Sequence, residues 1–214
     1  MNKKSMVLML LGISLLLLAA CGGPSQEFRP DQVILSESFS NPGAWEKYVS
    51  ESVDFQVNDG VYRVQTDDGG YIWGLNNQEH TDVIIEVTSV QSSAYEDNAY
   101  GVMCRADVSN NGDGYYFLIS GDGYYAIAEG DGDNVNQLVE WTSSSAINTG
   151  QASNTIRAVC VNNYLALYVN GKFVAETTDS SYKSGFAGFA ATAFNGGDVD
   201  VSFDDLTIST AVPQ

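Results

Sequence analysis

Residues able to do chemistry are few in this sequence and of restricted type. There is one histidine, His80, there are three cysteines, and no Gly-x-Ser-x-Gly turn is present to raise a serine nucleophile. Beyond the N-terminal leader and Cys21, His80 with Cys104 and Cys160 makes three soft ligands, one short of a structural zinc site. Oxygen is abundant instead, with 27 Asp and Glu against 9 Lys and Arg and a formal charge of −18. Glycoside hydrolysis would use two such carboxylates, held about 5 to 10 Å apart across a sugar bond. The one alternating acidic run, "DVDVSFDD", offers Asp198 and Asp200 and is then broken by Ser202. The stretch "GDGYYFLISGDGYYAIAEGDGDN", Gly112 to Asn134, could fold its Asp-Gly tracts around a hard cation, with Asp131 and Asp133 as candidate calcium ligands. It lacks the full Asp-x-Asp-x-Asp-Gly run with a distant Glu, and the same tracts serve equally as tight turns.

Compartment follows from the first residues. Lys3 and Lys4 precede an apolar stretch that closes on Leu18-Ala19-Ala20-Cys21, the layout of a secretory leader. With cysteine next to the cleavage point, the pattern resembles the bacterial lipobox, which implies a diacylglycerol on the Cys21 thiol. The apolar stretch is short for a membrane span, which needs about 18 residues. The expected layout is a leader over 1–20, a lipid-anchored linker over 21–31, a folded domain over 32–210 and a tail over 211–214. The folded part would sit outside the cytoplasm, on the cell or outer membrane. Loss of the leader's two lysines leaves 7 basic residues against 27 acidic. That balance argues against nucleic acid as a partner. In an oxidising compartment the two remaining cysteines, Cys104 and Cys160, are expected as a disulfide.

The elements that must position any site read as strands. Val83, Ile85 and Val87 alternate with Ile84, Glu86 and Thr88, and Tyr115, Phe117 and Ile119 alternate with Tyr116, Leu118 and Ser120. Eleven such runs are expected: 33–39, 60–65, 82–89, 99–106, 115–120, 124–129, 154–161, 164–169, 172–177, 185–192 and 199–208. Asn170-Gly171 between two of them is a strong hairpin signal, because a type I′ turn needs positive φ at both central residues. Asn58-Asp59-Gly60 and Gly121-Asp122-Gly123 read in the same way. Many short strands with such turns predict an all-β antiparallel sandwich or barrel.

The segments "SESFSNPGAW", "YGVMCRAD", "GYYFLIS", "LYVNGKFV", "GFAGFAA" and "VSFDDLTI" occur in an order that resembles concanavalin A-like lectin/glucanase jelly rolls. The likeness extends over most of 33–208 and leans toward the laminin-G-like and keto-disaccharide-hydrolase-like modules of bacterial lipoproteins. It implies a concanavalin A-like jelly-roll sandwich with one hollow outer face that can hold a ligand, and in the laminin-G-like case often a calcium ion. The glucanases' Glu-x-Asp-x-x-Glu strand is missing, so no catalytic residue carries over.

Strand parity then suggests a site. With Cys104 and Cys160 facing inward, alternation turns Arg105 and Arg157 outward, and Glu86, Tyr116 and Tyr124 share the outward parity of their own strands. Gathered on one curved face, these residues would suit a polyol, with charged groups for hydroxyls and rings for the C–H side. Alternatively, Glu86 pairs with Arg105 and Arg157 only to satisfy a polar sheet. Trp73 and Trp141 are either rims of that groove or plugs of the core. The functional expectation is a lipid-anchored, noncatalytic carbohydrate- or ligand-binding module whose partners are the membrane and a glycan. A glycoside or keto-sugar hydrolase and a scaffold for an envelope protein are the alternatives.

Overall fold

The computed structural model describes residues 22–109 and 111–214; the leader and Cys21 lie outside them. In chain order the strands are β1 (Phe28–Glu37), β2 (Tyr48–Val49), β3 (Val53–Asn58), β4 (Val61–Thr66), β5 (Ile72–His80), β6 (Val83–Gln91), β7 (Asn98–Ala106) and β8 (Gly114–Ile119). They continue as β9 (Tyr124–Asp131), β10 (Asn134–Ser143), β11 (Ser153–Val161), β12 (Tyr164–Val169), β13 (Lys172–Thr178), β14 (Gly185–Ala193) and β15 (Val199–Pro213). All pairings are antiparallel. One sheet has six strands in the order β10-β9-β8-β7-β14-β5. The other has nine, with β13-β12-β11-β6-β15-β4-β3-β2 as its path and β1 paired to β15. This is the jelly-roll sandwich expected from the sequence.

The turns follow the chemistry of their residues. Asp59 and Gly60 (φ 51° and 81°) close β3 onto β4, and Asn170 and Gly171 (φ 52° and 74°) close β12 onto β13. Both central residues are left-handed in each case, as a type I′ hairpin requires. Every expected strand is present. Four more, β2, β3, β5 and β10, escaped the pattern. β10 ("NVNQLVEWTS") has its alternation broken by two register shifts against β9, and β5 ("IWGLNNQEH") ends in a polar run.

The core lies between the sheets and follows the expected parity. Val83, Ile85 and Val87 of β6 and Ile156, Ala158 and Cys160 of β11 meet Tyr100, Val102 and Cys104 of β7 and Tyr115, Phe117 and Ile119 of β8. Phe189 stacks on Phe203 across the layers, with ring centroids 4.2 Å apart. Cys104 and Cys160 are joined, so the disulfide ties an interior strand of one sheet to an interior strand of the other.

The termini differ from expectation. β1 begins at Phe28, inside the stretch read as linker, and β15 runs to Pro213, through the stretch read as tail. The two ends pair with each other, Phe28 opposite Pro213 and Arg29 opposite Val212.

Candidate functional site

The outer face of the six-stranded sheet carries its own apolar layer: Leu75, Met103, Tyr116, Leu118, Ala128 and Ala190, with Trp73, Trp141 and Phe194 packed against it. Two ring contacts reveal its shape. Trp141 on β10 and Phe194, just past β14, meet edge to face with centroids 5.9 Å apart. Three strands separate β10 from β14, so on a flat sheet the backbones would lie about 19 Å apart at the usual strand spacing of about 4.8 Å. Tyr71, just before β5, likewise meets Tyr116 of β8 at 5.7 Å with two strands between their elements. The face is therefore hollow, and aromatic side chains lean over it from both edges.

At one end of this hollow is a cleft of about 450 Å³ lined by Asp97, Asn98, Ser120, Asp122, Tyr124, Trp141, Phe194 and Asn195. Asn98, at the start of β7, holds its loops in place. Its buried amide donates to Gln91 Oε1 (3.0 Å) and the Tyr95 carbonyl (2.8 Å), and its Oδ1 accepts from Gly121 N (3.1 Å). Gly121 allows this approach, because a Cβ there would sit 2.1 Å from Gln91 Nε2. The groups left facing the cleft are of another kind. Tyr124 is 42% exposed, Trp141 and Phe194 are half-buried, and Asp97, Asp122 and Asn195 are exposed. Asn195 Nδ2 donates to Asp97 Oδ2 (2.8 Å), and the Ser120 hydroxyl donates to Asp122 Oδ1. Asp122 thus keeps its second oxygen for another donor. Ring faces beside oriented acceptors can hold a polyol by C–H stacking and by accepting its hydroxyl protons.

The residues expected to form one groove are dispersed. Tyr124 lines this cleft. Tyr116 also belongs to the hollow face but is fully buried, its hydroxyl donating to the Gly112 carbonyl at 2.6 Å. It lines a second hollow of about 420 Å³ at the far end, with Tyr71, Trp73 and Asp133. Glu86 and Arg157 face outward and sit opposite one another, but on the nine-stranded sheet, across the molecule. Arg157 lies over the Tyr168 ring, 5.3 Å from its centroid, and donates to the Phe28 carbonyl at 2.8 Å. Arg105 does not face outward at all and is 1% exposed. A register shift places Met103 opposite Gly188 and Ala106 opposite Phe186, and Arg105 takes φ 53°, so alternation fails at that residue. Its guanidinium donates to the carbonyls of Thr81, Asn162 and Tyr182 and to Asp82 Oδ1 (2.9 Å), closing one end of the sandwich.

Asp131 and Asp133 occupy the β9–β10 turn, both exposed, and among the described residues no three His, Cys, Asp or Glu are grouped to hold a metal ion. His80 is buried at the end of β5. The sequence reading missed Asp97, Asp122, Phe194 and Asn195. Only "FNGG" gave a signal, since Asn195 and Gly196 (φ 52° and 77°) make a tight turn that presents Phe194.

The sequence matches no protein-family model and no curated protein. Solved structures share the fold. The carbohydrate binding module CBM66 from Bacillus subtilis aligns with a TM-score of 0.63 at 15% identity, over 79% of this chain and 98% of that one. A protein of unknown function with a galectin-like fold from the same species aligns at 0.64 and 10%, over 88% and 100%. A LamA variant from Zobellia galactanivorans, in complex with laminaritriose and laminaritetraose, aligns at 0.52 and 12%, over 85% and 100%. At such identity the likeness establishes the jelly roll alone.

Proposed function

We propose that this protein is a noncatalytic carbohydrate-binding sandwich, held outside the cytoplasm by a lipid on Cys21, with the Tyr124–Trp141–Phe194 cleft as its binding site. One observation carries the reading: three accessible aromatic rings stand beside carboxylate and amide oxygens in a single cleft on the hollow face. A carbohydrate binding module and putative glycosyl hydrolases among the structural neighbours are compatible with it. The hydrolase alternative draws on Asp97 and Asp122, the two acids of the cleft.

Calorimetry of the 22–214 domain against an oligosaccharide panel tests the site. Trp141→Ala and Tyr124→Ala are each expected to weaken binding at least about tenfold, in line with the loss of about 1.4 kcal/mol of contact. Binding that survives both substitutions removes the cleft from the function, and release of reducing ends from the bound chain replaces the noncatalytic reading. The anchor is checked by fatty-acid labelling of the full chain in a bacterial host, which Cys21→Ala should abolish.

A further inference from the structure

We infer that the cleft admits glycans without anionic groups and rejects uronate- or sulfate-bearing chains. This rests on the carbohydrate-binding reading above and adds the class of ligand. Sites that hold acidic sugars supply a guanidinium fork or an ammonium, because a desolvated carboxylate or sulfate needs charged donors. None is present here. Of the nine basic residues, Lys3 and Lys4 belong to the leader, and none of the seven that are described lines the cleft. Arg63 and Arg105 form the salt bridges found among the described residues, with Asp200 and Asp82, and Arg157 is turned to Phe28 on the opposite sheet. Lys47 and Lys183 line other depressions.

The cleft instead contributes two carboxylates and no cation to offset them. Asp97 and Asp122 are engaged by neutral donors only, the Asn195 amide and the Tyr95 hydroxyl at Asp97 and the Ser120 hydroxyl at Asp122. An anionic sugar approaching the aromatic walls would meet uncompensated like charge, on a protein whose formal charge is already −18. Hydroxyl groups find acceptors in the same place. A protonated amine on a hexosamine would find them too, with charge assistance.

The test is calorimetric titration of the domain with length-matched neutral hexose oligosaccharides, oligogalacturonides and glucosamine oligomers at low ionic strength. Neutral chains are expected to bind at least tenfold more tightly than oligogalacturonides, glucosamine oligomers at least as tightly as neutral chains, and the neutral-to-acidic gap should narrow as salt is added. In Asp97→Asn/Asp122→Asn the ratio of neutral to acidic affinity should fall toward one. Acidic chains that bind as tightly as neutral ones, with both lost on Trp141→Ala, overturn the charge selection and leave the binding site standing. An unchanged ratio in the double variant also overturns it. Absence of binding to every neutral and amino sugar overturns the carbohydrate reading itself.

Discussion

His80 closes β5 with its ring buried and its Nε2 3.2 Å from Asn76 Nδ2, so that nitrogen accepts and the proton belongs on Nδ1. Burial lowers its pKa below the ordinary 6.5. A depressed folded value means that the unfolded chain takes up the proton first. Its contribution to stability is therefore complete above about pH 6.5 and is lost as pH falls below that, toward the folded value. Since it is the only histidine, the interval from pH 7.5 to 5.5 should report this residue. The urea midpoint of the parent domain is expected to drop across that interval and that of His80→Gln to stay level; equal slopes would show that His80 is not the group responsible. The residue scale is also where the sequence misleads most. Tyr124 reached the hollow face because β9 keeps its alternation, whereas Arg105 left it because one left-handed residue resets the parity of β7. No local feature of "VMCRAD" announces that bulge. It is required by three carbonyls from distant turns that converge on one guanidinium.

At the scale of elements, eleven of the fifteen strands, the hairpins and the cross-sheet disulfide were legible, because each depends on alternation, a turn dipeptide or a count of cysteines. The cleft was not, because it depends on how β10 comes over the hollow face. β10 slips register twice against β9, and those shifts place Leu138 and Val139 against the main core while Trp141 joins the outer apolar layer. Which edge strand folds over, and onto what, is set by packing between elements far apart in the chain. The disulfide lets the element scale be tested separately. It closes a sequence separation of 56 residues, for which the chain-entropy estimate is about 4 kcal/mol. Cys104→Ala/Cys160→Ala should therefore lose about 2 to 5 kcal/mol in denaturant unfolding. Because neither cysteine lines the cleft, glycan affinity in the absence of denaturant should be retained. A loss under about 1 kcal/mol would mean that the core alone fixes the two sheets against each other.

For the whole molecule, the notable asymmetry is that the chain's entry is pinned to the sheet opposite the cleft. Side chains from three successive strands of the nine-stranded sheet hold the backbone of the arm. Arg157 of β11 donates to the Phe28 carbonyl, and the Tyr164 hydroxyl of β12 lies 3.0 Å from the Gln26 carbonyl and donates to Glu176 of β13 at 2.6 Å. Glu176 in turn accepts from Ser25 N at 2.8 Å, and Phe28 packs on Tyr164 with ring centroids 5.7 Å apart. At the other terminus, Gln214 N donates to the Glu27 carbonyl, so both ends are stitched together on this face. Burial raises the pKa of Glu176, but its hydrogen bonds from Tyr164 and Ser25 outweigh this and hold it below the ordinary 4.5. A depressed carboxylate stabilises above that value and loses its contribution as pH falls through its folded pKa. Arm docking should therefore be firm at neutral pH and weaken in acid. Tyr164→Phe removes the hydroxyl that ties the arm to Glu176 and should cost about 1 to 2 kcal/mol. Combined with Glu176→Gln, it should expose residues 22–28 to limited proteolysis at pH 7, as acidification below pH 4.5 should do in the parent. An arm equally protected in the double variant would assign its docking to Phe28 packing alone. A docked arm also fixes presentation: Ser25 to Phe28 lie against the nine-stranded sheet, and the cleft on the six-stranded sheet opens to the other side.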